Sequence, residues 1–201
     1  IYGTTINYPT TGWPQSDTTL NADTVKVISD FTIPDNVTLT ILPGTVVEFQ
    51  GDYNIRVRGT LKAIGNSQDS IQFTAPDTLT NWEIDLYSIT PNNDSSIFSF
   101  CVLEKSNGQL APLEMIFSDK VRISNCYFRN NNTNQAVIFF WGSNIMLENT
   151  YFVNNHAKYS GGALYITHKS LATIRNNIFY MNSAGNSGGA IHCQDSASSP
   201  T

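Results

Sequence analysis

Two stretches near the C-terminal end spell almost the same phrase: "YSGGALYI", Tyr159–Ile166, and "NSGGAIHC", Asn186–Cys193. Their Gly-Gly-Ala triplets begin at Gly161 and Gly188, 27 residues apart. Self-similarity at a fixed interval marks a repeat architecture, so the interval should govern the neighbouring residues as well. It does. "VRISNCYFRNN" from Val121, "IMLENTYFVNN" from Ile145 and "ATIRNNIFYMN" from Ala172 align without gaps. Their phenylalanines, Phe128, Phe152 and Phe179, are 24 and 27 residues apart. Five positions before each stands Ile123, Leu147 or Ile174. Asn125, Asn149 and Asn176 lie three before, and Asn131, Asn155 and Asn182 three after.

Counting on from each phenylalanine exposes a second strand. Twelve residues later come Phe140, Leu164 and Ile191, all apolar, and thirteen later come Trp141, Tyr165 and His192. Side chains alternate across a strand, so the first trio is expected in the core and the second on the outer face. The beat continues upstream through Phe49, Phe73 and Phe100, at intervals of 24, 27 and then 28 to Phe128. If each repeat is one circuit of a coil, the apolar columns stack into one core and each backbone pairs with the coils above and below. The expectation is an all-β, single-stranded parallel β-helix of about seven coils of 24–28 residues. A propeller blade needs about 40 residues and a leucine-rich repeat its leucine pattern, and neither is present. A β-sandwich has no reason to repeat the same columns. The glycine pairs then open a strand after an Asn/Ser-rich corner, where a missing Cβ permits unusual φ and close approach of coils. Asparagines at matching corners are expected to stack their amides from coil to coil.

Composition agrees with this. Only 13% of residues are charged, and Asn, Ser and Thr, which suit turns and strands, take up the share. The net charge of −5 argues against nucleic acid or an anionic membrane as partner. No run approaches the roughly 18 apolar residues of a membrane span, and the first residues do not resemble a signal peptide. Cys101, Cys126 and Cys193 have no metal-site spacing and read as buried free thiols. Asn36, Asn93 and Asn131 match the glycosylation pattern, which so Asn-rich a chain also produces by chance. Residues 1–30 lack the columns and carry Pro9 and Pro14, so they are expected to cap the first coil. Residues 31–195 form the β-helix, and 196–201 a tail or a truncated continuation. An uncapped C-terminal end would offer a surface for self-association.

"FVNNHAKYSGGALYI" and "FYMNSAGNSGGAIHC" resemble the paired FxxN and GGA[ILV] motifs of polymorphic outer-membrane proteins and related bacterial surface β-helices. The region from Ile33 to Ala75, with "GTLKAIG" at Gly59–Gly65 followed by "IQFT", resembles the opening of secreted β-helix proteins of the pectin-lyase-like superfamily. The resemblance covers roughly residues 30–195. It implies right-handed winding, export to the bacterial surface or beyond, and adhesins, stalks or polysaccharide-active enzymes as functional classes.

The enzymes this resembles carry Asp/Glu clusters on adjacent coils, so the test is whether charged side chains share a sheet face. Glu83 and Asp85 alternate with Trp82, Ile84 and Leu86 and are expected to point outward together. Glu104 and Lys105 follow at another offset. Glu148 and Arg175 fall in one column and should form a surface ion pair. His156, His168 and His192 share no offset, so no metal triad is expected, and no cofactor is implied. Trp141, Tyr165 and His192 form either a ring ladder that steadies the sheet or a surface that packs on sugar rings. The expectation is a non-catalytic structural or adhesive module, outside the cell or on its surface, with a polysaccharide or a cell surface as partner. The alternative is a carbohydrate-active enzyme or glycan-binding module on the same scaffold. An enzyme should show a groove with at least three acidic or basic side chains converging on one sheet face.

Overall fold

Strands of three to five residues in which Val, Ile, Leu or Phe alternates with Thr, Glu, Lys or Arg recur along the whole chain, and most bury alternate side chains, the last coil being the exception. The computed structural model describes residues 3–10, 12–77, 80–87, 95–195, 198 and 200–201. Every strand pair in it is parallel, and no helix occurs among the described residues. Sheet 1 has eight strands: Thr5–Tyr8, Thr24–Val27, Val46–Phe49, Ile71–Thr74, Cys101–Glu104, Tyr127–Arg129, Tyr151–Val153 and Ile178–Tyr180. Sheet 2 has seven: Phe31–Ile33, Asn54–Val57, Glu83–Tyr87, Leu113–Ile116, Ile138–Trp141, Leu164–Thr167 and Ile191–Cys193. Sheet 3 has seven: Thr18–Leu20, Thr38–Ile41, Thr60–Ile64, Ser96–Ser99, Val121–Ser124, Ile145–Glu148 and Thr173–Arg175. A short sheet 4, Asn132–Thr133, His156–Ala157 and Ser183–Ala184, joins sheets 1 and 2 in the last three coils. The chain visits sheets 1, 2 and 3 in turn and starts again, a solenoid of about seven coils.

The inward side chains form one core. Sheet 1 contributes Ile6, Val25, Val47, Phe73, Leu103, Phe128, Phe152 and Phe179 in register, the last three stacked at 5.0 and 4.9 Å. This corrects the upstream beat. Phe49 pairs with Val27 and stacks on Trp82 at 4.8 Å, while Phe100 sits at a corner with φ of 51° and leaves the column to Leu103. Sheet 2 contributes Phe31, Ile55, Ile84, Leu113, Ile138 and Leu164, and the column ends on Ile191, which is exposed on the last coil. Phe140 was expected with Leu164 and Ile191, but it lies in the neighbouring inward column, between Met115 and Ile166. The reason is a corner of different length. From Thr133 to Ile138 the chain takes five steps, whereas Ala157 to Leu164 and Ala184 to Ile191 take seven. The two extra residues are Gly161-Gly162 and Gly188-Gly189. Gly161 and Gly188 have φ of 69° and 61°, and a Cβ on Gly162 would lie 2.1 Å from the Gly189 carbonyl.

Strand pairing lapses at corners, and there polar side chains replace it. Between sheets 1 and 4, Asn131, Asn155 and Asn182 form a buried ladder. Each Oδ1 accepts the backbone N–H one coil before it: Ser106 at 3.0 Å, Asn131 at 3.2 Å and Asn155 at 3.2 Å. Each Nδ2 donates to a carbonyl of that earlier coil, on Leu103, Phe128 or Phe152. Ser118, Ser143 and Ser170 repeat the pattern between sheets 2 and 3. Between sheets 3 and 1 the ladder is Cys101, Cys126, Thr150 and Asn177, with each backbone N–H bonded to the next side chain. Cys101 and Cys126 are buried free thiols, whereas Cys193, also expected to be buried, is free but exposed on the last strand of sheet 2, where no further coil covers it among the described residues. Asn125, Asn149 and Asn176 are different: their φ values of 52–56° turn the backbone outside the ladder, a conformation asparagine tolerates.

The N-terminal stretch is itself wound into the coils. Thr24–Val27 and Thr18–Leu20 pair with sheet strands of the next coil, and Thr5–Tyr8 pairs with Thr24–Val27. Between Tyr8 and Thr18 no strand of sheet 2 forms among the described residues. Pro14 is buried there, and a residue with no N–H suits a sheet end. Tyr8 packs edge-on against Phe31 at 5.0 Å. At the other end Thr201 bonds to the backbone of Ala172 and Ile174, where a further sheet 3 strand would lie. Residues 196, 197 and 199 of the segment 196–201 lie outside the described residues.

Candidate functional site

The outward side chains of sheet 2 form one column across seven strands: Thr32, Arg56, Asp85, Glu114, Phe139, Tyr165 and His192. Its middle is acidic and its C-terminal half aromatic. Tyr165 and His192 belong to this column, but Trp141 does not. Phe139 takes the place expected for Trp141, because the seven-step glycine corner shifts the register by two residues. Trp141 instead stacks on His168 at 3.7 Å beside the column. Phe139 and Tyr165 stack at 5.2 Å with planes 29° apart, and Tyr165 and His192 lie tilted at 4.9 Å with planes 41° apart, so the rings are fanned rather than parallel. Tyr165 Oη donates to Gln194 Oε1. A groove of about 270 Å³ runs beside these rings, edged by Gln135, Tyr159, Ser160 and Gln194.

The acidic half was only partly legible, because Glu114 has a different sequence offset from Glu83 and Asp85. The register places it beside Asp85. Asn54 Nδ2 donates to both Glu83 Oε1 and Asp85 Oδ2 at 2.6 Å, and Arg56 Nη2 lies 3.8 Å from Asp85 Oδ2. Glu114 is buried and accepts the Ala111 N–H at 3.5 Å. Burial, then Asp85 and Glu114, push the Glu83 carboxyl up to about 8, against the Asn54 hydrogen bond and Arg56. Burial and then Asp85 lift Glu114 to about 7, and burial also raises Asp85. Four charged groups thus converge on one face. Two further grooves flank them, of about 400 Å³ beside Trp13, Asn54 and Glu83, and about 560 Å³ beside Arg56, Asp85 and Tyr87.

Such a strip of register-locked residues along a wound sheet is what a family assignment must account for. A family model for a right-handed beta helix region matches residues 77–201, more than half of the chain. The chain belongs to the right-handed β-helix family. No curated protein and no solved structure matches it.

Other residues singled out from the sequence lie elsewhere on this right-handed β-helix. On sheet 3, Glu148 and Arg175 are register partners with an oxygen–nitrogen distance of 3.9 Å. Glu104 lies on sheet 1, where it accepts from Arg129 at 2.7 Å and Gln72 at 2.6 Å, and Lys105 turns a corner with φ of 62°. His156 Nδ1 lies 2.9 Å from Ser183 Oγ on sheet 4. Among the described residues no three His, Cys, Asp or Glu side chains gather to hold a metal ion. Among the described residues no helix is long and apolar enough to cross a membrane. Asn36 is exposed, Asn131 is buried inside its ladder, and Asn93 lies outside the described residues.

Proposed function

We propose that this β-helix is a polysaccharide-binding, adhesive module of an exported surface protein, and that the outer face of sheet 2 is its binding surface. The observation that carries the reading is the seven-strand outward column, with its fanned Phe139, Tyr165 and His192 rings and the adjacent Trp141–His168 stack. The partly exposed rings of Trp141, Tyr165 and His192, backed by the buried Phe139, offer apolar area for the C–H faces of sugars, and the polar edges of the groove suit their hydroxyls. A linear polymer fits a surface that repeats about every 4.8 Å along the coil axis. Affinity electrophoresis and calorimetry against a panel of neutral and acidic polysaccharides test it. Binding should weaken about tenfold in Trp141→Ala and in Tyr165→Ala, with strand content unchanged by circular dichroism. Absence of binding across the panel, or equal binding by both variants, overturns the reading.

A second reading is favoured by one feature, the convergence of Arg56, Glu83, Asp85 and Glu114 beside the aromatic half. Glycoside hydrolysis needs two carboxyl groups, one of which keeps its proton near neutral pH, and burial pushes Glu83 up to about 8 and Glu114 up to about 7. If the face cleaves as well as binds, new reducing ends or unsaturated products accumulate with the wild type and not with Glu114→Gln. Binding without such products leaves the adhesive reading alone.

A further inference from the structure

The carboxyl groups of sheet 2 are short of hydrogen-bond donors. Asn54 Nδ2 serves one oxygen of Glu83 and one of Asp85, yet Glu83 Oε2 and Asp85 Oδ1 are sealed from solvent with no partner. From the strand Asn54–Val57 the charged group facing them is Arg56, whose side chain is 56% exposed and only 3.8 Å from Asp85 at its nearest. From Leu113–Ile116 it is Glu114, itself held by a single long backbone hydrogen bond. Arg58 lines a groove with Arg56 and Asp85 and pairs with Asp35 at 3.1 Å. Asp30 and Asp52, at the corners, accept the backbone N–H groups of Asn54 and Asn81. The half-solvated Arg56 guanidinium therefore faces Asp85 and Glu83, while Glu114 faces Asp85. Water does not reach the orphaned oxygens, so a proton is the one donor the geometry leaves room for.

We propose that Glu83, Asp85 and Glu114 form a proton-binding switch, which holds protons between its carboxyls at neutral pH and charges the outer face of sheet 2 as the solution turns mildly alkaline. The upward displacement of all three groups by burial agrees with the donor count. Its thermodynamic sign follows. Carboxyls with folded values above their unfolded ones make the fold bind extra protons between the ordinary carboxylate range and about 8. The resulting stability is complete below that ordinary range and is lost as pH rises through about 7 to about 8. The switch stands whether or not the face binds sugar.

Carboxyl-carbon NMR of the whole protein, labelled at Asp and Glu, reads the protons directly between about pH 5 and about pH 9. At least two carboxyl signals should titrate above about pH 6, and the melting temperature should fall by several degrees over the same range. Glu83→Gln should remove one of those signals and flatten the decline, while Glu48→Gln on sheet 1 should change neither. Titration of all sixteen Asp and Glu carboxyls below about pH 5 overturns the proposal, whatever the variants do.

Discussion

The C-terminal coils, from Val121 onward, and the coils before Glu104 are wound on the same three sheets but turn their corners differently. In the later coils the core column of sheet 1 runs Phe128, Phe152, Phe179, with steps of 24 and 27 residues. In the earlier ones it runs Val25, Val47, Phe73, Leu103, with steps of 22, 26 and 30. Strand lengths barely differ, so the variation lies in the corners. The later corners are closed by buried ladders of Asn, Ser, Thr or Cys that link successive coils. Several earlier corners rely on exposed Asp carboxylates: Asp17, Asp30 and Asp52 accept the N–H groups of Thr38, Asn54 and Asn81 at 2.8 Å. A solvated carboxylate tolerates insertions around it. A buried ladder does not, because an extra residue would leave its amides without partners.

The largest effect should therefore come from cutting a ladder in the later half. Asn155→Ala strands the buried Asn131 N–H, takes an acceptor from Asn131 Nδ2 and a second donor from the Phe128 carbonyl, and opens a cavity between Asn131 and Asn182. The expected loss is about 2–4 kcal/mol, from the unpaired buried N–H, the weakened amide contacts and the cavity. Asp30→Ala at an exposed corner should cost about 1 kcal/mol or less, since water replaces the carboxylate. Urea midpoints at unchanged slope would measure both. Equal losses would dissolve the distinction between the two kinds of corner.

That distinction also decides what could be read without coordinates. Phe128, Phe152 and Phe179 stand out in the sequence because uniform ladder corners keep their spacing nearly constant. Upstream, counting by phenylalanine fails. Phe49 and Phe100 occur at plausible intervals, but corners of unequal length put Val47 and Leu103 in the column instead. The sheet 2 face suffered from the same cause. Two glycines added at one corner moved Trp141 out of line with Tyr165, and unequal loops before Glu83 and Leu113 hid the pairing of Asp85 with Glu114. Alternation within a strand is local and legible, whereas alignment between coils depends on every corner in between.

Cys126 provides a finer test of the ladder idea. Its sulfur accepts the Cys101 N–H at 3.4 Å, the role that Thr150 Oγ1 plays for Cys126 one coil later. If the position requires an acceptor rather than a thiol, Cys126→Ala should cost about 1–3 kcal/mol, through an unpaired buried N–H. Cys126→Thr should recover most of that, because the hydroxyl is the better acceptor. Thermal unfolding of the two variants beside the wild type would show the order. Equal destabilisation by threonine and alanine would mean that packing, not hydrogen bonding, selects the residue.

The smallest effect belongs to the ion pair on sheet 3. Glu148 and Arg175 are register partners, but their closest approach is 3.9 Å and their side chains are 33% and 57% exposed. Charges so placed gain little over their hydration, and salt screens what they gain. Arg175→Ala should cost about 0.2–1 kcal/mol and less at high salt. Arg129 and Glu104 on sheet 1 are the contrast: they meet at 2.7 Å, and the Glu104 side chain is only 8% exposed. Removing Arg129 leaves a buried carboxylate with only the Gln72 amide, so Arg129→Ala should cost several times more and respond less to salt. A double-mutant cycle at each site isolates the pairwise part. Similar coupling energies at both would mean that neighbouring coils, rather than burial, set the strength of charge pairs on this surface.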